Sequence, residues 1–121
     1  MCSKNGEIGR RGEDVALDFL LKRGMGLVAR NWRSGHKELD LIVEDEMFLR
    51  IVEVKSLTYP NMIDPFEEVG WQKRRRIIAA AQHFVALKCI KKEIVFDVVS
   101  VVFNGSFYRV EYFPDAFAPV L

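Results

Sequence analysis

The chain has 121 residues, 50% of them apolar and 29% charged, a length and composition that fit one domain with its own core and exclude a largely disordered protein. Its formal net charge is +1, so it lacks the strongly basic composition of dedicated nucleic-acid binders. Because no apolar run is long enough to span a bilayer and the N-terminus has no signal-peptide core, we expect a single cytoplasmic domain over residues 1–121, with its core at about 7–113.

The first predicted element is a helix from residue 6 to about residue 24. Its apolar side chains recur at helical spacing and form one stripe, which consists of Val15, Ala16, Phe19 and Leu20. A short strand is predicted over residues 27–33, followed by a turn at 34–37 that contains Gly35.

Two apolar strands, over residues 38–43 and 49–55, flank the polar cluster at 44–46 and predict an antiparallel hairpin. If Glu44 pairs with Leu49, Asp40 lies opposite Glu53. A loop two residues shorter places Asp40 opposite Ile51, which is on the same face as Glu53. Both registers therefore predict that the two carboxylates lie close together on one face of the hairpin.

The second of these strands carries a Glu and a Lys two residues apart, at Glu53 and Lys55. Residues at this spacing point to the same face, and charges inside an apolar strand are costly unless they are paired, hydrated or bound to a metal. One interpretation is a simple ion pair on an edge strand. The other places a cation between Asp40 and Glu53, for which their hard oxygen ligands favour Mg²⁺ or Mn²⁺.

Downstream, a loop is predicted over residues 56–65 and a second helix from about 66 to 87. The buried stripe of this helix is Ile77, Ile78, Ala81, Phe84 and Val85. Strands over 93–103 and 106–113 flank Asn104–Gly105, a strong hairpin signal, and a short tail follows Pro114. The order α-β-β-β-α-β-β predicts an α/β fold with a mixed central sheet of about five strands flanked by helices, in which the strand after the second helix runs parallel to its neighbour.

These residues resemble the core of the PD-(D/E)xK superfamily of restriction-endonuclease-like nucleases, whose members carry a carboxylate on one hairpin strand and E-x-K on the next. Asp40 and Glu53-Val54-Lys55 match that pattern, and Glu13 matches a helix Glu found in many members. From Gly9 to about Phe103 the chain is similar to the YraN-like family of small uncharacterised bacterial proteins. The recurring phrases are residues 9–16, 31–33, 38–42, 52–55 and 96–99. The chain departs from the family pattern at Lys37, where Gly is usual, and at Leu57, where Arg is frequent.

The resemblance implies a metal-dependent endonuclease that hydrolyses phosphodiester bonds in DNA, and the relatives of known activity that the layout resembles are archaeal Holliday-junction resolvases. It implies catalytic roles for Asp40, Glu53, Lys55 and Glu13, and metal ligation by Asp40, Glu53, Glu13 and the Val54 carbonyl. A homodimer acting on branched DNA, without a small-molecule cofactor, is a further expectation. The alternative is a non-catalytic nucleic-acid-binding or protein-interaction module that retains the fold. For Glu13 the alternative is a favourable interaction with the helix dipole.

Basic residues supply candidate nucleic-acid contacts. Three successive residues of a helix cannot share one face, so at least one of Arg74 to Arg76 serves solubility, and for Gln72 and Lys73 a solvated helix face is an equal alternative. Asp97 is predicted to be structural, paired with an Arg, and Trp32 and Trp71 are predicted core residues. The candidate nucleic-acid-binding residues are Gln72, Lys73, Arg74, Arg76, Arg10 and Arg11.

Overall fold

A computed structural model of the chain describes residues 6–61 and 70–118. The predicted order of elements is confirmed. The elements are α1 Glu7–Lys22, β1 Gly26–Ser34, β2 Lys37–Glu44, β3 Phe48–Thr58, α2 Trp71–Lys88, β4 Glu93–Asn104 and β5 Phe107–Phe117. Within these ranges, neither helix combines the length and apolarity needed to cross a membrane.

The strands form one five-stranded mixed sheet in the order β1-β2-β3-β4-β5. Successive strands pair antiparallel except β3 and β4, which run parallel from Phe48↔Glu93 to Thr58↔Phe103. A parallel pair needs a crossover connection, and α2 lies in that connection. The predicted parallel strand after the second helix is therefore confirmed, and β3 lies at the centre of the sheet.

Each face of the sheet is covered by one helix, and each helix packs its predicted stripe against the core on that face. Ala16 and Leu20 of α1 pack against Val52, Val54 and their neighbours on one face. On the other face the buried side chains of α2 pack against the sheet; those that were predicted are Ile77, Ile78, Ala81 and Phe84. Because successive strand residues point to opposite faces, the apolar runs of β3 and β4 contribute to both cores.

Three boundaries differ from the sequence predictions by more than two residues. β3 continues through Ser56, predicted as loop, to Thr58, because these residues keep the parallel register with β4. β5 runs past Pro114 to Phe117, whose ring stacks on Phe96 at 5.1 Å between centroids, so the core extends beyond residue 113. α2 begins at Trp71 after an extended Gly70, and the predicted helical residues 66–69 lie outside the described residues.

Of the two tryptophans predicted to be core residues, only one packs inside. Trp32 is half-buried and contacts Phe84, with the ring centroids 5.2 Å apart. Trp71 is 58% exposed at the start of α2. The prediction for Trp71 was wrong because the buried residues of this helix begin only at Ile77.

Candidate active site

The β2–β3 hairpin places Asp40 beside Glu53. Backbone pairing runs from Glu44↔Leu49 to Leu41↔Val52, which confirms the longer of the two predicted loops, and the same register brings Asp40 opposite Glu53. Beyond Leu41 the Asp40 carboxylate itself continues the contact, because its Oδ2 accepts a hydrogen bond from the Val54 N–H at 2.9 Å. The side chain of Asp40 is therefore fixed against β3 at the point where the backbone pairing of β2 with β3 ends.

Three charged side chains are buried at this position. Asp40, Glu53 and Lys55 are 6%, 4% and 4% exposed, and Lys55 Nζ lies 3.4 Å from Glu53 Oε2. The ion pair anticipated by the simpler interpretation is present, but its location differs from that interpretation. β3 is a central strand between β2 and β4, and an ion pair buried there must offset a much larger desolvation cost than one on an exposed edge.

A second ammonium group reaches the same carboxylate from α2. Lys73 Nζ lies 2.6 Å from Glu53 Oε2, so this lysine faces the buried acid and not an open helix surface. Burial alone would lower the pKa of Lys73, but the negative charge of Glu53 and the hydrogen bond to it raise that pKa above its ordinary value. Lys73 therefore carries its positive charge at neutral pH and shares the neutralisation of Glu53 with Lys55.

Glu13 is held inside by the close approach of α1 to β3. A Cβ on Gly12 would overlap Ser56 Oγ and lie 2.8 Å from Ser56 Cβ, so the helix can lie against the residue after Lys55 only because position 12 has no side chain. Glu13 is 5% exposed, and its Oε1 is 3.7 Å from Arg30 Nη2. The helix-dipole alternative does not explain this burial, since Glu13 lies beyond the first turn, where the dipole effect fades.

The oxygen donors at the hairpin suit a hard divalent cation in type. Asp40 and Glu53 supply carboxylates, and because the N–H and C=O of a strand residue point to the same side, the Val54 carbonyl also faces β2. Among residues 6–61 and 70–118, however, no group of three or more His, Cys, Asp or Glu side chains is arranged to hold a metal ion. Ligation by Glu13 together with Asp40 and Glu53 thus stays a prediction, and a cation bound at Glu53 Oε2 would compete with Lys73 for that oxygen.

Asp97 belongs to a separate network on the opposite face of the sheet. Its carboxylate accepts hydrogen bonds from Arg50 Nη1 at 3.1 Å, the Tyr112 hydroxyl at 2.6 Å and the Asp115 N–H at 2.8 Å. Burial and the hydrogen bond to Asp97 raise the pKa of the Tyr112 hydroxyl, which stays a donor. The predicted structural pairing of Asp97 with an Arg is confirmed.

The other candidate nucleic-acid residues are spread over several surfaces. Gln72 and Arg10 are exposed. Arg11 lies 4.5 Å from the centre of the Phe103 ring, and Arg74 lies 5.4 Å from that of Phe117, so both guanidinium groups stack on aromatic faces. Arg76 is exposed one turn after Lys73. No contact in the structure tests their binding to nucleic acid, which stays a prediction for each.

Sequence reasoning missed two features of this site. The contact of Lys73 with Glu53 has no local signal, because the two residues belong to different elements, α2 and β3, and are far apart in the sequence. The close approach at Gly12 did carry a signal, since a glycine inside a helical pattern is costly and often marks tight packing.

Comparison with known proteins gives a family for the chain. Residues 12–101 match the family model described as Uncharacterised protein family UPF0102. A UPF0102 protein of Porphyromonas gingivalis is 40% identical over 115 residues, which cover 93% of this chain and 85% of that protein. A UPF0102 protein of Bacteroides fragilis is 36% identical over 94% of both chains, and one of Anaeromyxobacter dehalogenans is 40% identical over 91% of this chain and 83% of its own length. The chain therefore belongs to the UPF0102 family, to which its YraN-like motifs pointed.

Proposed function

We propose that this protein is a divalent-metal-dependent endonuclease that hydrolyses phosphodiester bonds in DNA, with branched or junction DNA as its substrate class. The proposal is carried by one observation: Asp40, Glu53 and Lys55 lie together, buried, on a central hairpin of the sheet. A purely structural role would leave unexplained why two acids and a lysine occupy positions that apolar residues could fill at lower cost. A cytoplasmic location and a homodimer on branched DNA belong to the same proposal.

The proposed roles in hydrolysis are metal ligation by the acidic residues and positioning of water by Lys55. Asp40 and Glu53 would hold Mg²⁺ or Mn²⁺ with the Val54 carbonyl, and Glu13 would add a ligand directly or through water. A cation bound there supplies positive charge that stabilises the transition state and activates water. Lys55 would orient the attacking water and neutralise charge that develops on the phosphate. The hydrogen bond from Val54 N–H fixes the Asp40 carboxylate in advance, which limits the reorganisation needed on binding.

A cleavage panel tests the proposed activity. Purified protein should cut at least one of a four-way junction, a flap and a linear duplex in the presence of Mn²⁺ or Mg²⁺. The Asp40→Asn variant keeps the size of the side chain but loses its charge, and we expect its cleavage rate to fall by at least about a hundredfold. Asp18→Asn is a matched control, since Asp18 is an exposed acid on α1 paired with Lys22. Equal cleavage by Asp40→Asn and wild type would contradict the assigned site.

A non-catalytic module is the second candidate, and one observation favours it. Lys55 and Lys73 both approach Glu53 Oε2, so the charge of this carboxylate is balanced by the chain itself. A protein of this kind would bind nucleic acid or a protein partner without cutting. Calorimetric titration with Mn²⁺ separates the two candidates: the nuclease should bind the ion with a low-millimolar or tighter Kd that Glu53→Ala abolishes, whereas the module should bind no ion at this site.

A further inference from the structure

A basic pocket lies between the β1–β2 turn and α2. It is open to solvent and has a volume of about 530 Å³. Its lining carries three basic side chains, His36 from the turn, Lys37 from the start of β2 and Arg76 from the helix, and no acid is among the lining residues that the structure describes. All three are exposed at the surface of the protein.

These basic groups are not engaged elsewhere in the described chain. Within residues 6–61 and 70–118, no carboxylate forms an ion pair with Lys37, His36 or Arg76, and the nearby acid of the turn, Glu38, lies 3.7 Å from Arg33. The pocket therefore concentrates positive charge that no described residue neutralises, which favours an anionic ligand.

The two walls of the pocket are held in fixed relation. Ser34 Oγ shares a hydrogen bond with His83 Nδ1 of α2, and the Trp32 ring packs on His83 with the centroids 5.5 Å apart. The turn itself is tight because Gly35 adopts φ 63°, a left-handed conformation that suits glycine in a two-residue hairpin. A site whose walls are already joined pays little ordering cost when a ligand binds.

The position of the pocket relates it to the proposed active site. Lys37 precedes Asp40 by three residues on β2, about 10 Å along the strand, and Arg76 lies one helical turn after Lys73, so their side chains are neighbours on α2. Because one strand of B-DNA rises about 3.4 Å per nucleotide, this separation corresponds to roughly three nucleotides.

We propose that His36, Lys37 and Arg76 form a binding site for a backbone phosphate of the nucleic acid, a few nucleotides from the phosphate held near Asp40 and Glu53. The proposal rests on the proposed function for the identity of the ligand as nucleic acid. Arg76 and Lys37 supply the charge, and His36 adds a ring N–H donor. This site positions the strand without reading its sequence.

The test measures binding of a fluorescently labelled four-way DNA junction in EDTA, so that no cleavage occurs, over a series of salt concentrations. One phosphate contact contributes about 0.9 to the slope of log K against log salt. The double variant Lys37→Ser/Arg76→Gln should reduce the slope by about one and weaken binding at least about fivefold at 0.1 M salt. Lys37→Arg, which keeps the charge, should retain the wild-type slope.

Arg75→Gln is the matched control, since Arg75 is an exposed arginine next to Arg76 on a different face of α2. Unchanged DNA binding by the double variant, or an equal loss of affinity in the Arg75 control, would overturn the proposed phosphate site. If the wild type cuts DNA while the double variant keeps its slope, the pocket fails and the nuclease stands. If the wild type binds through the pocket but cuts nothing with Mn²⁺, the catalytic proposal fails and the pocket stands. A wild type that does not bind the junction overturns the phosphate site, and one that also cuts none of the three substrates with Mn²⁺ overturns both proposals.

Discussion

At the residue scale, Glu53 has the most demanding environment in the proposed site. It is 4% exposed, and a buried carboxylate is tolerated only when its charge is offset nearby. Lys55 supplies one positive charge from the same strand and Lys73 another from a different element. The contact at 2.6 Å makes Lys73 the closer of the two, although this lysine had no assigned partner in the sequence.

Replacing Lys73 should lower the stability of the protein and raise its affinity for divalent cations. In Lys73→Met the Glu53 carboxylate keeps Lys55 as a partner. We expect the free energy of unfolding to fall by about 1–2 kcal/mol, a loss between those of exposed and fully buried ion pairs, because Lys73 is one-third exposed. Without a competing ammonium group, Mn²⁺ should bind about tenfold more tightly. Urea unfolding and calorimetry measure the two effects.

Arg75→Met is the control for Lys73→Met, because it removes an exposed charge from the same helix. It should change neither quantity by more than a small amount. A Lys73→Met protein that binds Mn²⁺ more weakly than the wild type would show that Lys73 supports the ion and does not compete with it.

At the element scale, the β2–β3 hairpin depends on the turn that joins its strands. Asp45 Oδ1 accepts hydrogen bonds from the N–H groups of Met47 and Phe48 at 3.0 and 2.8 Å, and its Oδ2 accepts one from Arg50 Nε at 2.9 Å. This local bonding fixes the loop length and hence the register. The register in turn decides that Asp40 faces Glu53.

The Asp45 turn should make stability depend on acid pH. Burial alone would raise the pKa of Asp45, but the hydrogen bonds from Arg50, Phe48 and Met47 lower it below its ordinary value of 3.8. The pKa of Asp45 is lower in the folded state than in the unfolded state. This stabilisation is therefore fully present well above the unfolded-state pKa, near 3.8, and is lost as pH falls through the folded-state pKa. We therefore expect Asp45→Ala to cost about 1–2 kcal/mol at pH 7 and progressively less as pH falls below the ordinary value of 3.8.

Denaturant unfolding of the wild type and Asp45→Ala at several pH values measures this difference. Glu46→Ala serves as the control, since Glu46 is an exposed acid of the same turn, and it should leave the pH profile close to that of the wild type. A cost for Asp45→Ala that stays constant from pH 7 to pH 2 would contradict the role of the ionised carboxylate.

The hairpin could be predicted from the sequence because its determinants are local. Alternation, β-branched residues and a polar cluster of fixed length left only two registers, and both placed Asp40 and Glu53 on one face. The contact from Lys73 could not be predicted in this way, since the orientation of a crossover helix depends on how its apolar stripe packs on the sheet. The position of Arg76 beside the β1–β2 turn could not be predicted for the same reason.

At the scale of the whole molecule, the central sheet buries apolar side chains on both faces. The first helix and the last strand both contribute to these cores. Gly12 lets α1 lie close to β3, while Phe117 closes the other core against Phe96. The sequence predicted the order and pairing of elements, because long periodic segments carry strong signals. The predicted end of β5 came too early, since Pro114 is typical of a strand end. The register shift between Phe96 and Val98, beyond which pairing continues to Phe117, has no evident sequence signal.

The extension of β5 beyond Pro114 predicts that the end of this strand contributes to global stability. Phe117 is 7% exposed, and Phe117→Ala should lower the free energy of unfolding by about 2–4 kcal/mol, because it removes a ring from a packed core. Phe107→Ala is the same change in the same strand at a side chain that is 79% exposed, and it should cost under about 1 kcal/mol. Equal losses in the two variants, measured by thermal or urea unfolding, would show that the strand end does not belong to the core.

The contact between Lys73 and Glu53 also bears on the sequence of events in folding. The β2–β3 hairpin is made of residues close in the chain and can form early, whereas α2 and β4 join it only after a long connection has closed. A hairpin without the docked helix would leave Glu53 without the ammonium group of Lys73, and its carboxylate would then need water in place of that partner. Docking of α2 on the sheet therefore brings a positive charge to Glu53 at the same time as it buries apolar side chains.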